Sequence, residues 1–329
     1  MPCFLVLQLK RIGDAVLTAP VLGGLRAAWP DSHIVLVMAG AAGELGPLFK
    51  GVDEVLTWTS GGLNLELIHR VRQLHPEVVL DYTGTDRSAF LSGISGAAVR
   101  VAYSKFAHGL LRSLVPTVTC EASVRNLHTL DFHAALPRPA GLILPHFPEA
   151  GHLQLPPNLD LPHPGAPCIA VHPGTARADK FWPEEEWAAL LDHLHARYSR
   201  PLVLTGGPAD FEQEHIRKIL SRTKAPVLNY AGALNLPQLA GILAGARLAI
   251  TVDTAAMHLA SSWQVPQVAL FGPTNPFHWA PRHEQAIVLQ SGVPAGQPLQ
   301  PRQSGAPMDG LSWQTVAAAA ARLLDPDSP

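Results

Sequence analysis

The chain has 329 residues, 47% hydrophobic and 15% charged, which excludes intrinsic disorder and provides enough apolar surface for two folded domains. Its 24 Lys and Arg nearly balance 26 Asp and Glu, and residues 1–163 and 164–329 each carry 12 basic and 13 acidic groups. With no basic half or tail, a nucleic-acid partner is not expected, and 31 prolines exclude a helical bundle or coiled coil.

In chain order, strands are expected at Phe4–Leu9, His33–Met38, Glu54–Trp58, Val78–Leu80 and Val99–Ala102. Amphipathic stretches at roughly 15–28, 63–75, 86–95 and 122–136 read as the helices that follow them. The second half repeats the alternation, with strands Ile169–His172, Leu202–Thr205, Leu248–Thr251 and Val268–Phe271 and helices near 184–197, 210–221, 236–244 and 255–263. Short apolar strands alternating with helices imply parallel βαβ units covered on both faces. The fold class expected is therefore α/β: two Rossmann-like, doubly wound parallel-sheet domains facing a central cleft.

Prolines mark the boundary. Residues 137–167 hold nine of them (137, 139, 145, 148, 156, 157, 162, 164 and 167), which suits a stiff, extended connector. The domains expected are 1–160 and 161–310, with a closing helix and tail over 311–329, the helix running Leu311–Leu324 and stopped by Pro326. The stretch Gln290–Gly310, with four Pro, four Gly and four Gln, reads as a mobile loop. The apolar run Phe4–Leu9 is followed by Lys10 and Arg11, the reverse of a signal peptide, and no segment reads as membrane-spanning. Three widely spaced cysteines read as free thiols in a reducing compartment, hence a cytoplasmic protein.

The turn after the first strand reads Leu9-Lys10-Arg11-Ile12-Gly13-Asp14, ahead of Thr18-Ala19-Pro20. A dinucleotide turn needs G-x-G-x-x-G, and only Gly13 is present, so a nicotinamide-dependent dehydrogenase is excluded. Asp14 is either a helix N-cap or a general base toward an acceptor hydroxyl. In the second domain, His172-Pro173-Gly174-Thr175 exposes backbone and a hydroxyl at a strand end. Lys180 is either a solvated loop lysine or a point charge for phosphate. The Gly206-Gly207 pair permits close approach of a ligand or simply makes a turn, and Asp210 and Glu212 either bind a ribose or favour the next helix start. At Asp253-Thr254-Ala255, a strand runs into a helix whose free N–H groups form an anion site, with His258 one turn on. Trp182 and Trp187 are expected in domain packing. The sixteen histidines lack metal-ligand spacing.

In this order and on these elements, His172–Gly174, Lys180–Pro183, Gly206–Pro208, Asp253–His258 and Phe271–Thr274, with Leu9–Pro20 and Asp81–Ser88 before them, resemble the family 9 glycosyltransferases, the lipopolysaccharide heptosyltransferases. The resemblance covers nearly the whole chain. It implies a GT-B fold and an inverting, metal-independent enzyme without cofactor that transfers heptose from ADP-heptose to a lipid-linked lipopolysaccharide core acceptor at the inner membrane. It implies Asp14 as general base and Lys180 as the group that neutralises the departing diphosphate. Gly13, Thr175, Gly207, Asp253, Thr254, Ala255 and His258 would bind the donor, and Lys10, Arg11 and Arg87 the acceptor. Ala255 stands where many members have Gly, which bears on the donor. A transferase for another nucleotide sugar and a non-catalytic nucleotide-sugar-binding protein are the alternatives.

Overall fold

Alternating short strands and helices build two parallel sheets in the computed structural model, which describes residues 1–144, 150–162 and 164–325. The first half runs β1 (Cys3–Gln8), α1 (Ile12–Val16), α2 (Ala19–Ala28), β2 (His33–Ala39), β3 (Glu54–Trp58), α3 (Leu65–Leu74), β4 (Val78–Asp81), α4 (Asp86–Ile94), β5 (Val99–Tyr103), α5 (Leu110–Leu114), β6 (Val118–Cys120) and α6 (Thr129–Ala135). The second runs β7 (Ile169–His172), α7 (Glu184–Arg197), β8 (Leu202–Leu204), α8 (Asp210–Arg222), β9 (Val227–Asn229), α9 (Leu236–Ala244), β10 (Leu248–Val252), α10 (Ala255–Ser262), β11 (Gln267–Phe271), β12 (Ala286–Gln290) and α11 (Trp313–Leu324).

Strand order is β3-β2-β1-β4-β5-β6 in one sheet and β12-β11-β10-β7-β8-β9 in the other. Every neighbouring pair is parallel. Both sheets thus follow the doubly wound order in which the chain reverses direction beside the first strand, between β1 and β4 and between β7 and β10. The chain divides into two compact units, Met1–Gln154 and Leu155–Pro329. β1, β4, β7 and β10, buried on both faces, are almost wholly apolar. Trp182 and Trp187 meet edge to face at 4.8 Å within the core of the second unit. α11, capped by Ser312, lays Val316, Ala317, Ala319 and Ala320 into that same core.

Several elements depart from expectation for physical reasons. The helix expected over 15–28 is two, because Pro20 has no N–H to continue the ladder from α1, and Thr18 becomes the N-cap of α2. The helix expected over 122–136 starts only at Thr129, where the ring of His128 accepts from the Leu130 amide. β6, β9 and β12 were not expected; β6 and β9 are three-residue edge strands without a continuous apolar run. Ile287-Val288-Leu289 of β12 did carry such a run. The proline-rich connector is shared between the units. Leu153 bridges Phe49 and the Gln154 amide donates to Leu48 at 2.8 Å, while Leu159 and Leu161 pack where Gly241 of α9 leaves room. Pro145, Pro148 and Pro326 lie outside the described residues. The stretch 290–310, expected to be a mobile loop, is fastened down. Met308 is buried against Gly272, Ala306 donates to the Gly272 carbonyl, and Asn275 donates to the Gln300 carbonyl.

A buried polar chain fixes the turn between α1 and α2. The Thr18 hydroxyl donates to the Asp14 carbonyl at 2.8 Å and accepts from the Gln8 amide at 2.9 Å, with His133 Nδ1 3.3 Å away. Burial pulls His133 down to about 3, so the ring is neutral. Thr18→Val leaves the Gln8 amide and the Asp14 carbonyl with only their own 3.5 Å contact, and is expected to cost about 1–3 kcal/mol in chemical denaturation.

Candidate active site

On the first unit, the loops leaving β1 and β4 meet at the reversal of strand order. Thr83 ties them: its hydroxyl accepts from the Leu9 amide at 2.8 Å and donates to the Leu7 carbonyl at 3.3 Å. Asp81, buried, accepts from the Thr83 and Gly84 amides. Gly84 lies at φ +68°, and an added Cβ would run into the Phe106 ring, so only glycine serves there. This sets Phe106 at the mouth of the turn that carries Lys10.

Asp14 is the third residue of α1, and Arg11, without a side-chain cap bond, is the N-cap. Asp14 is therefore not the N-cap itself, but from the third position its carboxylate takes the backbone N–H groups of Arg11 and of Asp14 at the helix start, so it caps the helix from within. Burial pushes its carboxyl above the ordinary carboxylate range, against the pull of Lys10 and Arg11. A base nearer neutrality than a free aspartate is better matched to removing a hydroxyl proton. Lys10 Nζ lies 4.9 Å and Lys105 Nζ 4.5 Å from the Phe106 ring centre, and Lys105 also lies 4.4 Å from Phe132. Burial, then repulsion by Lys10, pulls Lys105 down to about 8, with Asp14 acting the other way. Lys105 sits in a short turn of 104–106 after β5, and no motif marked it. Arg11 and Arg87 are exposed, Arg87 in the first turn of α4, and Gly13 is partly exposed on α1.

On the second unit, the matching ends of β7 and β10 carry the remaining candidates apart from Gly207, which follows β8. Lys180 is no solvated lysine: it donates to Asp253 Oδ2 at 2.6 Å and to the Asp253 carbonyl at 3.2 Å, with side chains only 12% and 9% exposed. Its third N–H remains for a ligand. Thr254 is the N-cap of α10 and makes no side-chain cap bond, so the first N–H groups of the helix, beginning at Ala255, are left to an anion. Burial pulls His258 down to about 4; the ring is neutral, and its Nδ1 is buried with no hydrogen-bond partner among the described residues. Thr175 is buried one residue beyond Gly174.

The structure joins two signals that stood apart in the sequence. A Cβ on Gly174 would come within 1.9 Å of Glu212 Oε2 and one on Gly207 within 2.3 Å of Oε1. The Glu212 carboxylate is thus wedged between the two glycine turns. Burial raises it above the usual carboxylate range, with the Gly207 amide opposing. Gly206 in turn admits the Ile216 side chain. Among the described residues, no group of three His, Cys, Asp or Glu is placed to hold a metal ion, and no helix is long and apolar enough to cross a membrane.

Two doubly wound parallel-sheet units in this strand order are the architecture of the GT-B fold. The profile of glycosyltransferase family 9 (heptosyltransferase) matches residues 64–305, and the chain belongs to that family. The match includes Lys180, Asp253 and His258 and begins after Asp14. Lipopolysaccharide heptosyltransferase 3 of Escherichia coli is 25% identical over 301 residues, 85% of this chain and 86% of the relative. A family 9 glycosyl transferase from Veillonella parvula DSM 2008 superposes with TM-score 0.80 at 23% identity, over 98% of this chain and 97% of that one. The E. coli ADP-heptose lps heptosyltransferase II superposes with TM-score 0.79 at 21% identity, over 98% of each chain. These two likenesses speak to the fold.

Lys180→Met leaves the Asp253 carboxylate buried without its partner, and is expected to cost about 3–5 kcal/mol in thermal or chemical denaturation, most of it recovered in the double variant with Asp253→Asn. The Lys105 side-chain resonance is expected to titrate near pH 8, below an ordinary lysine, in an NMR pH series.

Proposed function

We propose that the enzyme transfers heptose from ADP-heptose to a lipopolysaccharide core acceptor with inversion at the anomeric carbon. Lys180, already oriented by Asp253 beside the uncapped start of α10, is the observation that carries this reading. It assembles a cation and free backbone N–H groups where a diphosphate would gather charge. Two relatives, a lipopolysaccharide heptosyltransferase and an ADP-heptose lps heptosyltransferase, support both donor and acceptor.

In the step proposed, Asp14 takes the acceptor hydroxyl proton as its oxygen forms a bond to the anomeric carbon. The bond from that carbon to the diphosphate oxygen breaks on the opposite side, and its electron pair leaves with ADP. Lys180, Thr175 and the N–H groups at Thr254 and Ala255 receive the charge, each strong donor worth roughly 3–4 kcal/mol in comparable sites. This is work that a divalent cation would otherwise do, so no metal or other cofactor is required. Gly207, Asp253 and His258 complete the donor pocket, where the free His258 Nδ1 suits a donor hydroxyl. Gly13 lets the donor approach the α1 turn, and Lys10, Arg11 and Arg87 hold the acceptor. Residues 1–160 then form the acceptor domain, 161–310 the donor domain and 311–329 the closing helix and tail. The enzyme works in the cytoplasm, peripherally at the inner membrane where its lipid-linked acceptor resides.

Asp14→Asn is expected to lower kcat by about 10²–10⁴ with little change in ADP-heptose affinity, in a donor-consumption assay paired with calorimetry. A wild-type rate would remove Asp14 as the base. Tighter binding of a UDP or GDP sugar in the same calorimeter would overturn the donor assignment. Because burial raises Asp14, the acid limb of the kcat profile is expected above the ordinary aspartate range, with activity lost as pH falls through it and Asp14 gains its proton.

A further inference from the structure

α1 is five residues long, less than two turns, and so short a helix is not held in place by its own ladder. Where it ends decides where Asp14 stands. The Leu17 amide reaches back to the Gly13 carbonyl at 3.0 Å, but the Thr18 amide tightens onto the Ala15 carbonyl at 3.1 Å. In a continuing helix that amide would take the Asp14 carbonyl; here the Thr18 hydroxyl takes its place, donating to Asp14 at 2.8 Å. The Gln8 amide, at the end of β1, backs the hydroxyl from 2.9 Å and reaches the same carbonyl at 3.5 Å. Asp14 is thus gripped by its own main chain.

The far side of Thr18 is closed by α6. His133 is neutral, and its Nδ1 lies 3.2 Å from the Leu17 carbonyl, which can only accept. Nδ1 therefore carries the ring hydrogen and donates there, with the Thr18 oxygen 3.3 Å away. α6 is itself fixed from the sheet: the Tyr82 hydroxyl donates to the His133 carbonyl at 3.2 Å and the Tyr103 hydroxyl to the Phe132 carbonyl at 2.8 Å. Gln8, Thr18, Tyr82, Tyr103 and His133 are all exposed by 1% or less. Apolar side chains would pack these elements with less desolvation; what buried polar bonds add is direction. The direction here ends on the Asp14 carbonyl.

We propose that Thr18 is the positioning residue for Asp14, its hydroxyl setting the end of α1 and Gln8 and His133 holding that hydroxyl in turn. This goes beyond the reading of Asp14 as the base and rests on it. It also gives Thr18-Ala19-Pro20 two tasks: the hydroxyl fixes the helix that carries Asp14, and Pro20 lets the next helix begin.

The test uses the full chain and two readouts, the rate of transfer and the titration of the Asp14 carboxyl by NMR. Thr18→Val removes the hydroxyl at nearly constant volume and is expected to lower kcat about 10–100-fold with donor affinity unchanged in calorimetry, the scale of a displacement of about 1 Å. Thr18→Ser keeps the hydroxyl and is expected to stay within about twofold of wild type. Gln8→Leu also removes the buried Oε1, which has no partner among the described residues, so it keeps the fold while lowering kcat in the same direction. In an Asp14→Asn background Thr18→Val is expected to slow the enzyme no further, because groups that act as one unit do not add. Lys10, Arg11 and Lys105 are the charges that act on the Asp14 carboxyl. Thr18→Val is expected to lower its midpoint toward the ordinary range, as a loosened α1 admits water to a group that burial had raised. Wild-type kcat in both Thr18→Val and Gln8→Leu, or a full further loss on top of Asp14→Asn, overturns the proposal. If Asp14→Asn keeps the wild-type rate while Thr18→Val moves the midpoint, only the base reading falls. If Asp14→Asn is slow and Thr18→Val leaves the midpoint where it was, only the positioning falls.

Discussion

A wholly parallel sheet puts every strand's carboxyl end on one edge, and where strand order reverses, two neighbouring strands send their following loops to opposite faces. Both units meet this constraint at their central pair, β1 with β4 and β7 with β10, and Asp14, Lys180 and Asp253 all lie on the segments that leave those strands. In the first unit the Thr83 hydroxyl laces the two loops together, and the exposed turn is left with Asp14 and its lysines. In the second the buried Lys180–Asp253 pair spans the same gap. A pair so shielded contributes little net stability, because desolvation offsets its attraction. Its effect is geometric, since it holds one ammonium in a single place at the start of α10.

Much of the frame is legible in the sequence because buried parallel strands must be apolar, and the turns after them must hold small or polar residues whatever ligand they serve. That is why β1, β7 and β10 and the turns at Asp14, His172–Thr175 and Asp253–Ala255 stand out. Edge strands escape because one side of the ladder faces solvent, so three-residue segments such as β6 and β9 need no apolar run. Lys105 escapes for another reason. A lysine after a strand looks the same whether it waves in water or lies on Phe106, and the difference is made by Gly84, twenty-one residues earlier in the chain, which lets the ring approach.

Glycine is a further case where sequence alone could name the residue but not its reason. Gly174 and Gly207 have ordinary backbone conformations, so neither is demanded by a turn's dihedral angles. They are small because the Glu212 carboxylate occupies the space between them. The His-Pro-Gly and Gly-Gly-Pro motifs are thereby one packed unit, and Glu212 at the start of α8 is its keystone as well as a helix-dipole partner.

The Phe106 ring has two ammonium groups within 5 Å of its centre, and its negative face only partly compensates their mutual repulsion. Lys10 and Lys105 are therefore held in mutual repulsion over one ring. An arriving anion is favoured twice, by its own attraction to the lysines and by the relief of their repulsion, whereas a neutral sugar of the same shape earns neither. The preference of this turn for negative charge over a neutral group of the same shape is in this way set by the two lysines themselves.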